Sequence, residues 1–161
     1  MNKITPLIKG ITTGVVLVIV SLSLFYSKLA VESKLHYSIY ILYAIGIIWT
    51  LISYSRSASF TGKFADLFGQ GFKCFIVVAF IMVAFTAIFS MLHPEFAEDS
   101  ARYYKEDLLK AKNKTPLEID EIVAKVKKQY TTSLVSLTIF GYLITGTIIT
   151  AAGSALLMRR K

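Results

Sequence analysis

Cys74-Phe-Ile-Val-Val-Ala-Phe-Ile-Met-Val-Ala-Phe-Thr-Ala-Ile-Phe-Ser-Met-Leu92 runs for nineteen residues without a charge. Its four Phe, three Ile, three Val and one Leu would contribute roughly −3 to −7 kcal/mol to bilayer insertion if all sat centrally. A helix of a water-soluble bundle needs a polar face, and this stretch has no charged residue anywhere on the helical wheel. It reads as a membrane span. His93-Pro94 closes it, because proline restricts the residue before it and removes a backbone donor.

Three other stretches share this character, and together the expected spans cover about residues 7–26, 37–55, 73–92 and 133–158. In the first, Val15 to Val20 is an unbroken aliphatic run and no charge occurs between Lys9 and Lys28. Gly10 to Tyr26 alone reaches only about 26 Å at ~1.5 Å per residue. Extension back toward Pro6, with Lys9 snorkelling its ammonium to the headgroups, restores the length. A cleaved signal peptide is the rival reading, but Tyr26-Ser27-Lys28-Leu29-Ala30 offers no clean small-x-small site, so the span is read as retained. The second span carries Tyr37 and Tyr40 at one end and Trp49 and Tyr54 toward the other, as suits two interfaces. The fourth ends in Arg159-Arg160-Lys161, a basic stop that also complements the carbonyl end of a helix.

Composition agrees with this pattern. In 161 residues the hydrophobic fraction is 55% and the charged fraction 17%, against roughly 25% charged in soluble proteins; the mean hydropathy is +0.60. The length suits one domain. The net charge of +8 sits largely beside the spans, at Lys3, Lys9, Arg56, Lys63, Lys73 and the carboxyl tail, so membrane borders rather than nucleic acid account for it. Cys74 is the only cysteine, which excludes an intramolecular disulfide and a thiolate metal cluster.

Residues 93–131 form the one sizeable polar insert, with eight basic and eight acidic residues. It reads as an extramembrane helical hairpin. Ala97, Ala101, Tyr104, Leu108 and Ala111 recur on one face of a first helix that opens at Pro94 and ends at Asn113 and Lys114. Thr115-Pro116-Leu117-Glu118 is a capping box opening a second, with Ile119, Ile122, Val123, Val126 and Tyr130 on one face. No breaker separates this helix from the fourth span. The two stripes either bury each other, the preferred reading, or dock a partner or the membrane surface. In the Ser57 to Phe72 link, Phe60, Phe64, Phe68 and Phe72 repeat every four residues and suggest an interfacial helix leading into the third span.

An even number of spans puts both termini on one side. Eight Lys and Arg lie on that side and ten on the other. Eight of those ten are interleaved with acids in the insert, so the termini are expected in the cytoplasm.

Intramembrane catalysis or ion coupling calls for an ionisable group facing the helix interior, and apart from Lys9 and Lys73 at their borders the spans hold no charged residue. No catalytic, cofactor-binding or metal-binding residues are assigned. His36 and His93 are single, border-placed histidines without metal spacing. Gly69-Gln70-Gly71 lacks the third glycine and preceding strand of a dinucleotide fingerprint, Gly62-Lys63 is followed by Phe64 rather than Ser or Thr, and the glycosylation pattern at Asn113 matters only in a eukaryotic secretory route. Small residues are more informative. Gly10 and Gly14 form a GxxxG pair, Gly146, Thr150 and Gly153 share a face of the fourth span, and Gly141 and Thr145 stand four apart nearby. Such faces let helix backbones approach closely, within one bundle by preference or between two copies.

The order of a Phe-Gly-rich link (Ser59-Phe60-Thr61-Gly62-Lys63-Phe64, then Phe68-Gly69-Gln70-Gly71-Phe72), a span closed by His93-Pro94-Glu95-Phe96, a charged helical insert and a Gly-containing final span resembles the domain-of-unknown-function family 4199. The resemblance implies a four-helix protein of the bacterial cytoplasmic (inner) membrane. It brings no activity and no catalytic residue.

The expected architecture is therefore all-α, an integral membrane four-helix bundle with an extramembrane hairpin between the third and fourth spans. The leading expectation for function is a non-enzymatic structural, accessory or assembly component. Its partners would be the bilayer and another membrane protein or a second copy, acting through the small-residue faces, the Phe link, or Tyr104, Leu108, Ile119, Ile122 and Val126 of the hairpin. The alternative is a small channel or transporter for uncharged or lipid-like solutes, using Thr138, Thr145 and Thr150 for polar contacts.

Overall fold

The computed structural model describes residues 5–26, 36–111 and 115–159. Ser27 to Ala30, Asn113, Lys114, Arg160 and Lys161, and the side chain of His36, lie outside what it describes. The described residues form five α-helices and no strand: α1 Pro6–Tyr26, α2 His36–Ser55, α3 Phe64–Leu92, α4 Glu95–Ala111 and α5 Pro116–Arg159. All but α4 contain a stretch long and apolar enough to cross a membrane.

Two helices are longer than the spans they contain. With no breaker after Tyr130, α5 continues for 44 residues from the capping box to Arg159. Likewise α3 begins nine residues before Lys73, the expected start of its span, and takes in most of the Phe link. The link nevertheless departs from the expected single interfacial helix. Residues 57–63 form turns instead, held by Ser57 N–H donating to the Tyr54 carbonyl at 2.9 Å and Phe60 N–H to the Ser57 carbonyl at 3.1 Å. Gly62 adopts φ +79°, a left-handed conformation that stops a helix from starting earlier. The Thr61 hydroxyl donates to Asp66 in the first turn of α3. Phe60 is consequently off the helix, packed edge-on against Tyr54 at 5.7 Å, while Phe64, Phe68 and Phe72 stack in succession at 5.9 and 6.4 Å.

The chain divides into two compact units, residues Met1–Val83 with Ile139–Lys161, and residues Ala84–Thr138. In the first, α1 buries the stripe Lys9, Gly10, Thr13, Gly14 and Leu17. Tyr43, Ile47, Thr50 and Leu51 are among the buried residues of α2, and Leu67, Cys74, Phe75, Val78, Ala79 and Met82 among those of α3. Tyr142, Thr150 and Ser154 serve α5. The outward faces are aliphatic and aromatic, and Phe80 on α3 is 76% exposed. The interior is mixed, apolar side chains beside hydroxyls, glycines and an ammonium, while the exposed faces of the same helices carry large apolar groups that a water-soluble protein does not display in such number.

In the second unit, α4 and the first part of α5 run antiparallel, crosslinked by Lys105 to Asp120 and Lys127 to Glu98, each at 2.7 Å. Ala101 and Ile119 are buried, so the two stripes meet. Tyr104 is 46% exposed and stands outside the packed stripe. The capping box forms as the sequence predicts: Thr115 N–H donates to the Glu118 carboxylate at 2.8 Å, and Glu118 N–H to the Thr115 hydroxyl at 3.4 Å. Before α4, His93 Nδ1 meets the Glu95 carboxylate at 2.6 Å, and its ring packs against Phe89 at 4.5 Å and Phe96 at 5.8 Å.

Hydrogen bonding to His93 holds the Glu95 carboxyl below its ordinary pKa, and hydrogen bonding to Lys127 does the same for Glu98. Each carboxylate therefore stabilises the folded hairpin fully above the ordinary carboxylate pKa of about 4.3, and that contribution is lost as pH falls through the lowered folded value. Acid titration of the full chain in detergent is expected to leave hydrogen-exchange protection of α4 unchanged down to about pH 5 and to weaken it below about pH 4. In Glu98→Gln the loss should be smaller.

Candidate functional site

Every small-residue position singled out in the sequence now has a location. A side chain at Gly10 would lie 2.8 Å from the Cys74 carbonyl oxygen and 2.9 Å from Val77 Cβ, and one at Gly14 would meet Ile81. These two glycines bring α1 onto α3. On α5, Gly146 leaves room for the Tyr43 hydroxyl and the Phe75 ring, Gly153 for Leu51, and Gly141 faces the Tyr40 hydroxyl. Thr150 is fully buried against Gly71, and Thr145 is half-buried on the same helix. All of these contacts lie within the first unit, so the glycine faces are occupied by the chain's own helices.

Sequence reading missed two positions of the same kind. Gly46 receives Thr13, and Gly71 receives Thr150 and Leu51. A signal was present, since Gly46 and Thr50 are four apart on α2 and both are buried. The Gly71 to Thr150 pairing joins residues far apart in the chain and leaves no local trace.

Through the notch at Gly146 the Tyr43 hydroxyl donates to the Tyr142 carbonyl at 3.0 Å. The Tyr142 ring packs edge-on against Tyr43 at 5.0 Å and stacks with Tyr40 at 5.9 Å. Two turns further along α2, the Thr50 hydroxyl lies 3.0 Å from the Gly46 carbonyl and 3.3 Å from Cys74 Sγ. These polar groups satisfy one another, as a low-dielectric interior requires.

Beyond Thr50 the first unit opens into a cleft of about 510 Å³. Thr5, Pro6 and Lys9 form its α1 wall, Trp49, Thr50, Ser53 and Tyr54 its α2 wall, Ser57 and Ser59 its link side, and Gln70 its α3 side. Lys9 corrects an expectation. Rather than snorkelling to headgroups along a lipid-facing surface, it is 6% exposed and points inward, its ammonium 5.3 Å from the centroid of the Trp49 ring. The uncharged helical wheel therefore ends one turn inside α1.

The hairpin residues are divided. Ile119 is buried, Leu108, Ile122 and Val126 are half-buried, and Tyr104 is exposed. Among the described residues no group of three or more His, Cys, Asp or Glu side chains is gathered at one point.

Over residues 9–160 the chain matches the family described as Protein of unknown function (DUF4199), and it belongs to that family. No curated protein and no solved structure matches it.

If the glycine contacts hold the helices together, substitutions should sort by what the new Cβ meets. Gly10→Ala faces a backbone carbonyl that cannot rotate away, and it is expected to destabilise by about 1–3 kcal/mol. Gly69, with nothing within 4 Å of the added carbon, should accept Ala neutrally or with a gain of up to about 1 kcal/mol from helix propensity. Thermal unfolding of both variants in one detergent gives the comparison.

Proposed function

We propose that this member of the DUF4199 family is a multi-pass integral protein of a bacterial cytoplasmic membrane, its four apolar helices packed as a bundle, serving as a non-enzymatic accessory or assembly component. One observation carries the membrane part of this reading. The buried positions of the first unit hold Lys9, Thr13, Thr50, Thr150 and Ser154, whereas Ile11, Val15, Ile45, Phe80, Ile144 and Ile148 face outward. That polarity suits hydrocarbon outside, where packing of small residues and interhelical hydrogen bonds replace hydrophobic drive.

The non-enzymatic part rests on the chemistry of the interior. Among the described residues of the first unit Asp66 is the only carboxylate, and it is engaged by Thr61. A buried acid and base pair or a nucleophile beside a base is the usual foundation of a catalytic site; here the Thr50 hydroxyl is engaged by the Gly46 carbonyl and Cys74, and the Tyr43 hydroxyl by the Tyr142 carbonyl. The transporter reading draws less support. Thr150 fills the space at Gly71, and the Thr138 hydroxyl donates to its own helix at Leu134, so neither is held out for a solute.

With the glycine faces filled internally, the surfaces left for another protein are the outer faces of the spans and the exposed side of the hairpin, where Tyr103, Tyr104, Leu109 and Leu117 stand clear. Affinity capture of the protein at native level in mild detergent is expected to recover a stoichiometric membrane partner. Recovery of the chain alone would count heavily against an assembly role.

Orientation has its own test. In a Cys74→Ser background carrying a cysteine at position 113, an impermeant maleimide should label intact cells if the termini are cytoplasmic and the hairpin faces outward. Labelling only after lysis would reverse the topology.

A further inference from the structure

Lys9 is the one charged side chain among the buried described residues. Among those residues it forms no ion pair and no side-chain hydrogen bond, its recorded partner being the face of Trp49. A cation over an indole gains less than withdrawing an ammonium from water costs when no opposite charge joins it. Among the described residues of this unit no such charge is supplied, since Asp66 is their only carboxylate and is bound to Thr61.

The ammonium instead lines the cleft, and the cleft is set up for an anion. Its α1 wall is the helix N-terminus, where backbone N–H groups and the helix dipole favour negative charge. Thr5 accepts the Ile8 N–H at 3.4 Å and keeps its own hydroxyl proton for another acceptor. Ser53 and Gln70 also line the space, and neither forms a side-chain hydrogen bond among the described residues. On the outer face of the same turns of α1, Leu7, Ile8 and Ile11 are exposed and aliphatic.

We infer that the cleft is a binding site for a net-anionic phosphate group, borne by a lipid headgroup or by a small soluble phosphate ester. Lys9 supplies the counter-charge, and Thr5, Ser53 and Gln70 donate hydrogen bonds. The site does not depend on the accessory role proposed above, and failure to capture a protein partner would leave it untouched.

Trp49 is the only tryptophan in the chain and forms one wall, so its emission reports occupancy. The full-length protein in a neutral maltoside detergent would be titrated separately with phosphatidylglycerol, phosphatidylcholine and glycerol 3-phosphate. Saturable change with phosphatidylglycerol, at least tenfold weaker response to phosphatidylcholine, and retention in Lys9→Arg but a tenfold or greater loss in Lys9→Met are expected. Saturation by glycerol 3-phosphate at similar concentration would identify a soluble ester as the source; no response to it would identify the lipid. Equal response to the zwitterionic and anionic lipids, no saturable response to either anion, or a Lys9→Met titration like that of the unaltered protein would overturn the site. Should Lys9→Met not fold, as judged by thermal unfolding, discrimination by the unaltered protein decides, with Ser53→Ala expected to weaken binding severalfold.

Discussion

The packing of the first unit depends on how closely its backbones approach at glycine. At Gly146 the absence of a side chain lets Tyr43 reach across from α2 and donate to the Tyr142 carbonyl. At Gly10 the same absence lets α1 settle against the α3 backbone at Cys74. In hydrocarbon the apolar surface of a helix gains nothing by touching another helix rather than lipid. Contact must therefore come from dispersion at short range and from hydrogen bonds, both of which fall away if the backbones are held apart. The glycines are thus a structural condition for the polar interior, not decoration of an apolar one.

Once the backbones are close, small side chains pack into the space at glycine, and among the described residues the buried Thr150 and Ser154 hydroxyls have no hydrogen-bond partner. Thr13 against Gly46 and Thr150 against Gly71 repeat the pairing of a β-branched residue with a glycine on the neighbouring helix. Thr50 ties its own turn to Cys74 on α3. The same interior turns Lys9 away from lipid, where its long stem and the Trp49 face form the floor of an open, hydroxyl-lined cleft.

The hairpin is held by different physics, because its helices are charged on their outer faces. Its apolar stripes are short, its ion pairs are exposed and weak individually, and its start is fixed by reciprocal capping at Thr115 and Glu118. Ala101 and Ile119 are its buried apolar positions. What remains uncovered is aromatic and aliphatic side chain on its outer side, a surface of a kind that partners use.

The amino-acid sequence by itself determined the number of apolar helices, the polar insert between the last two, the capping box and the family, because each depends on local composition or on spacing within one segment. The unbroken passage of α5 from hairpin to span was legible for the same reason, since a helix continues where no proline or glycine stops it. The sequence pattern failed at Phe60, where the four-residue aromatic repeat outran the helix and Gly62 set its real limit. Only the tertiary structure decided which faces turn inward. A helix apolar on every side carries no contrast to mark its buried face, so the matching of Gly71 with Thr150, or the inward turn of Lys9 onto Trp49, arises from pairing between distant segments. The cleft exists for that reason: its walls come from three helices and a link whose nearness no single stretch of sequence records.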